Sequence, residues 1–154
     1  MYGWQHRRTT LALWILISGA MPAWAALGES ESSVNLDQQV LRGADREEAR
    51  TGYKLHQIIA VDGTIVKEFV SPAGLIFGIS WQASRMPNLQ QLLGPSMTEL
   101  QVALQSRTRR PGRAPLIVRT NKLVFFSGGH MRSFHGYAYV PGLVPGGVSP
   151  EVVQ

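Results

Sequence analysis

The chain has 154 residues, no cysteine, and 15 lysines and arginines against 10 aspartates and glutamates, a formal charge of +5. The missing cysteine excludes disulfides, a thiol nucleophile, thiolate metal ligation and a lipid-modified cysteine tether. The length suits one domain, and so small a charge excess is no signature of nucleic-acid binding.

Residues 1–25 read as a signal peptide. Arg7 and Arg8 give a positive opening, an uncharged apolar run extends from Leu11 to Ile17, and Ala23 and Ala25 are the small residues that precede a cut between Ala25 and Ala26. The run is about half of the roughly 20 residues needed to cross a bilayer, and Gly19 and Pro22 interrupt its extension. The expectation is export: a periplasmic or secreted protein with no membrane span after leader removal. Arg7-Arg8 is compatible with the twin-arginine route as well as the ordinary secretory one. Without the leader, 13 basic residues face 10 acidic ones, and no nucleic-acid partner is expected.

Residues 26–52 read as a polar arm, mobile or partly helical around Leu36–Arg50. Only Leu27, Val34, Leu36, Val40 and Leu41 are large and apolar there, so little surface can be buried. Strand patterning begins at Tyr53 and defines an α+β domain over 53–141. Tyr53–Val61 and Thr64–Val70 flank Asp62-Gly63, a pair suited to a tight hairpin turn. With two residues in the turn, Ile59 faces Val66, Gln57 faces Glu68 and Leu55 faces Val70. Neither face is then cleanly apolar, and the spacing leaves the buried side open.

After a turn at Ser71–Gly74, Leu75–Gln82 predicts a third strand with Leu75, Phe77, Ile79 and Trp81 on one face. Asn88 with Gln91, and Ser96 with Glu99, have capping-box spacing and predict two short helices separated by Gly94-Pro95. Met97, Leu100, Ala103 and Leu104 would lie against the sheet. Arg107–Pro115 reads as a loop. Leu116–Arg119, Lys122–Ser127 and Phe134–Val140 predict closing strands, the last with Gly136 and Ala138 on one face and His135, Tyr137 and Tyr139 on the other. Residues 142–154, rich in proline and glycine, read as a tail. The expected fold is α+β: an antiparallel sheet of five or six strands with one or two short helices inserted after the third.

No motif fixes a chemistry. The segment Ser127, Gly128, Gly129, His130, Met131 through His135 is the densest in function-like residues. Its histidines are of the type that binds metal or moves protons, although zinc needs three or four ligands and no carboxylate lies within the segment. The alternative is a hairpin whose glycines make the turn. Ser127 and Ser133 lack the Gly-x-Ser-x-Gly elbow of an acyl-transfer site, and Gly128-Gly129 lacks the Gly-Lys-Ser/Thr end of a phosphate loop. Arg107, Arg109, Arg110 and Arg113 form a candidate anion site, though such a run is ordinarily solvated. Tyr53, Trp81, Tyr137 and Tyr139 are candidates to line a groove for a sugar or peptide, with Trp81 better explained as core.

The order of these pieces resembles a known family. Ala26-Leu27-Gly28 at the leader's end, Thr64–Val70, the Gly74–Trp81 strand, Leu89–Gly94, then Ser127-Gly128-Gly129-His130-Met131, Phe134, Gly136 and Pro141 carry the likeness. It is to an exported proteobacterial family, largely of Burkholderia-type bacteria, catalogued as a domain of unknown function. The resemblance implies export and a shared small fold, and supplies neither an activity nor catalytic residues. The expected function is a binding or interaction module rather than an enzyme, with no cofactor or metal assigned and an envelope or extracellular partner of unknown identity. A metal-dependent protein using His130 and His135, and a structural component of the cell envelope, are the rival readings.

Overall fold

The computed structural model describes residues 27–106 and 114–154. Among these, seven strands form one antiparallel sheet: β1 (Ala44–Arg50), β2 (Tyr53–Ile59), β3 (Ile65–Val70), β4 (Ile76–Ala83), β5 (Leu116–Arg119), β6 (Val124–His130) and β7 (Ser133–Tyr139). Their spatial order is β1-β2-β3-β4-β7-β6-β5, so two meanders meet where β4 pairs with β7. Three helices, α1 (Val34–Leu41), α2 (Leu89–Leu93) and α3 (Ser96–Gln105), complete an α+β fold. The two helices expected after the third strand of the hairpin region are α2 and α3. Asn88 Oδ1 accepts from the backbone N–H groups of Gln90 and Gln91 and caps α2. Ser96 does not cap α3: Pro95 holds that position, and the Ser96 hydroxyl donates to the Leu27 carbonyl instead.

The count of seven strands exceeds the expected five or six because the charged stretch after α1 is a strand, not a continuation of the helix. Arg42 takes a left-handed conformation (φ 49°) that ends α1. A Cβ at Gly43 would stand 2.7 Å from the Ile58 side chain, so only glycine lets the chain turn closely onto β2. The alternation of β1 then sends Asp45 and Glu47 to the helix side and Arg46, Glu48 and Arg50 to the other. Residues 27–50 are thus built into the sheet and its cover. Glu29, Gly28 and Glu31 exchange backbone hydrogen bonds with Ile76 and Gly74.

Two further departures have local causes. The β2–β3 hairpin turns through three residues, Val61-Asp62-Gly63, with Gly63 at φ 81° and Asp62 Oδ1 accepting from Thr64 N–H at 3.0 Å. The pairing is therefore shifted by one: Ile58 faces Val66, Gln57 faces Lys67 and His56 faces Glu68. In β4 a bulge sets Phe69 opposite Gly78 and Val70 opposite Ile76. The extra residue, Phe77, points away from Ile76, Ile79 and Trp81 instead of sharing their face.

The core on the helix side joins Ile58, Val66, Ile79, Trp81, Phe125 and Ala138 from the sheet with Val34, Leu92, Leu93 and Leu100 from the helices. Met97 and Ala103 pack against it as expected, while Leu104 is exposed. Among the described residues, the opposite face is covered at one end. There the C-terminal stretch, read from sequence as a tail, lays Leu143, Val144, Val148, Val152 and Val153 over Tyr53, Leu55, Phe69, Phe77 and Tyr139. Burying such side chains contributes about 1.5–3 kcal/mol each before entropy is subtracted, enough to seat a short segment.

Candidate functional site

Past the reach of that C-terminal cover, no other described residue covers the outer face of the sheet. Side chains one position apart across five strands form a row there: Gln57, Lys67, Ser80, Tyr137 and Phe126. The neighbouring row holds Ile65, Gln82 and His135. Together with Gln154 they line a groove of about 450 Å³. At its aromatic end Phe126 stacks on Tyr137 with ring centroids 5.2 Å apart and planes at 13°, and His135 lies 5.7 Å from Phe126 on the same strand as Tyr137. At its polar end Lys67 is exposed and makes no ion pair among the described residues. The groove offers ring faces, amides, a hydroxyl and one cation, the mixture typical of ligand-orienting clefts.

The sequence-selected segment is divided by the sheet. Ser127 to His130 belong to β6, and the turn is made by Met131-Arg132, with Arg132 at φ 64°, not by the glycines. Gly129 is needed in the strand itself: at φ 128° a Cβ would stand 2.1 Å from the Ser133 carbonyl oxygen. Ser127 is buried, Met131 is 87 % exposed at the tip, and His130 is exposed with Nδ1 3.2 Å from the Met131 carbonyl oxygen. His135, by contrast, faces the open groove. Ser127, Gly128, Gly129, His130 and Met131 also border a separate depression of about 750 Å³ with Met86, Leu116 and Phe134. Of the other aromatics, Tyr137 lines the groove, Tyr53 and Tyr139 are under the C-terminal cover, and Trp81 is core. Arg107, Arg109, Arg110 and Arg113, like Ala25 and Ala26, lie outside the described residues.

A second polar group, not singled out from the sequence, joins β1 and β2 to the 3-10 turn before α1. Asp45 Oδ2 stands 2.9 Å from His56 Nδ1, and Glu31 Oε1 stands 3.3 Å from His56 Nε2. Lys54 Nζ donates to Glu31 at 2.6 Å and lies 3.6 Å from Glu47, holding the Glu31 carboxyl below its usual range. Glu31, Glu47 and His56 offer three ligand-type atoms within 4.8 Å of one another. The Lys54 ammonium already supplies positive charge between those glutamates, and no metal is assigned to them. No such trio of described residues includes His130 or His135.

Deeper in, Glu68 is 1 % exposed and Asp37 2 %. Gln91 Nε2 donates to Asp37 Oδ1 at 2.6 Å, whereas neither carboxyl oxygen of Glu68 has a donor. Burial pushes the Glu68 carboxyl well above its usual value, and the facing Asp37 adds to the rise. Asp37 is raised by burial as well, offset in part by the hydrogen bond from Gln91, which favours its charged form. Both carboxyls are thus biased toward their protonated forms, Glu68 the more strongly. The sequence signal was Glu68 between Val66 and Val70, a lone carboxylate on an apolar stripe.

Fold and surface together define a single-sheet α+β protein with one covered face and one partly open face. The chain belongs to the family described as "Protein of unknown function (DUF2844)", matched over residues 23–153. The expected membership of a family of unknown function is borne out. No curated protein and no solved structure matches the chain. No described helix is long and apolar enough to cross a membrane.

Proposed function

We propose that this chain is an exported, non-catalytic binding module that holds a carbohydrate in the open-face groove. The observation that carries the reading is the Phe126–Tyr137 stack, extended by His135 and set across from Gln57, Lys67, Ser80 and Gln82. A sugar ring presents a C–H face to an aromatic wall and a hydroxyl edge to amides and hydroxyls, so both ends of the groove are used. An extended peptide is served less well. The groove lies in mid-sheet, where every strand is already paired on both sides, and offers no free backbone edge to extend. The leader features at Arg7-Arg8, Leu11–Ile17 and Ala23–Ala25 support a periplasmic or secreted location.

Titration of isotope-labelled protein with neutral, amino and uronic-acid oligosaccharides tests this. The expected result is amide shifts confined to β3, β4, β6 and β7, lost in Tyr137→Ala. Absence of any such shift at millimolar sugar, or shifts that survive Tyr137→Ala and Phe126→Ala, refutes the reading. Release of the chain lacking residues 1–25 into the periplasm or medium tests the location; an intact Met1 on cytosolic protein overturns it.

A further inference from the structure

Two hairpins of the sheet turn at the same end, and each carries an exposed apolar side chain in its turn. Register puts the β2–β3 turn, the exit of β4 and the β6–β7 turn together there: Ile65 pairs with Gln82, Ala83 with Phe134 and Gly129 with Phe134. Val61 in the first turn is 83 % exposed and Met131 in the second 87 %, while Met86, just past β4, is half-exposed. Tight turns favour glycine, asparagine, aspartate and serine, whose side chains or backbone freedom suit the bend. An apolar side chain held out in water at two such turns adds nothing to the core.

The surroundings of these tips are basic. Arg42 at the entry to β1, Arg85 beside Met86 and Arg132 beside Met131 are exposed, and none is ion-paired among the described residues. The acid of the first turn, Asp62, bends its carboxylate back onto the Thr64 N–H at 3.0 Å. The hairpins are three strand spacings apart in the sheet, about 14 Å from centre to centre. Between them lies a depression of about 250 Å³ bordered by Gly63 of one turn, Ser84 after β4, and Arg132 and Ser133 of the other turn.

We propose that this end of the sheet docks on an anionic phospholipid surface, with Val61 and Met131 entering the interface and a lipid phosphate seated between them against Arg132, Ser84 and Ser133. The charge complementarity is direct, because each basic side chain near an anionic bilayer adds attraction while apolar tips gain by leaving water. A guanidinium and two hydroxyls are donors only a phosphate-like group would use together. Spacing argues for a bilayer over a protein partner. The apolar side chains are separated by a polar depression rather than joined in one patch, and a fluid interface accepts separate tips where a protein surface would need a matching contour. Docking by two turns leaves the carbohydrate groove on the sheet's outer face uncovered, so the two sites work independently.

Co-sedimentation with vesicles of phosphatidylcholine, alone or with phosphatidylglycerol, tests this on the chain beginning at Ala26, which holds every described element and no leader. The expected result is binding at least tenfold tighter to the anionic vesicles, weakened by salt. Val61→Ser combined with Met131→Ser keeps every charge and should weaken it about tenfold or more. Arg132→Asn, a residue that tolerates the left-handed conformation Arg132 holds, should weaken it about fivefold. All three positions are exposed, so folding is not at stake. Because the chain has no cysteine, an environment-sensitive dye can be placed on Met131→Cys, or on Lys122→Cys at the opposite end of the sheet. The dye at 131 should be quenched by nitroxide lipids and the dye at 122 should not. Inorganic phosphate at the same concentration as the lipid should displace nothing. Equal binding to neutral and anionic vesicles, no binding to either, a serine pair that binds like the parent, equal quenching at both labels, or displacement by phosphate overturns the proposal.

Discussion

Gly78 of β4 lies directly beneath Val153 of the C-terminal 3-10 turn: a Cβ on the glycine would stand 2.6 Å from Val153 Cγ2. This contact fixes how far the C-terminal stretch advances over the outer face, and hence where the groove begins. Gly78→Ala is expected to lift that stretch and cost about 1–3 kcal/mol, the range for overfilling a packed contact. Denaturant unfolding gives the cost, and exchange at Val152 and Val153 shows the lift. An unchanged midpoint with unchanged exchange would show that Val153 yields freely.

Gly136 is a harder case, because its neighbours cannot move aside. A Cβ there would meet Trp81 Cζ2 at 2.3 Å and the Phe126 carbonyl oxygen at 2.4 Å, one of them backbone in the adjacent strand. Gly136→Ala should therefore cost more than Gly78→Ala, about 3 kcal/mol or above, or prevent folding. Thermal denaturation of the two variants side by side tests the ranking.

Asn88 is the sole side-chain cap of α2, accepting from both Gln90 and Gln91 N–H. Asn88→Ala should cost about 1 kcal/mol. Because Gln91 also holds Asp37, the variant should lower α1 protection as well. An effect confined to α2 would mean that Gln91 is placed without its cap.

Stability should peak in weakly acidic solution. Glu68 is raised in the folded state, so the folded chain binds more protons once pH passes the ordinary carboxyl value, and stability falls as pH climbs further. Glu31 is lowered, chiefly by its hydrogen bond from Lys54, so its contribution is present above the ordinary value and disappears on acidification. Unfolding free energy measured across the pH range should decline on both sides. Glu68→Gln should flatten the alkaline side alone, and Lys54→Met the acid side. A single decline in the parent chain would contradict one of the two assignments.

Much of the architecture was legible in the chain because it depends on neighbours. The alternation of Gly136 and Ala138 against His135, Tyr137 and Tyr139 sorts β7 correctly, as Gly94-Pro95 separates α2 from α3. Asp62-Gly63 marks the first hairpin, but whether two or three residues turn there depends on the Asp62–Thr64 hydrogen bond, and that choice reverses which face His56 shares with Glu68. The polar group under α1 was the least legible, since Asp37 and Gln91 lie 54 positions apart and neither has an unusual neighbour. What the sequence by itself determined was the type of most elements from Tyr53 onward and the α+β class. Spacing alone sets those, through the periods of two and 3.6 and the turn chemistry of glycine and proline. Only the tertiary structure decided that Ala44–Arg50 would pair as a strand beside β2, that Val153 would cap Gly78, and that Asp37 and Glu68 would both be buried. Those outcomes come from which surfaces are buried together, a property of distant segments that no local pattern carries.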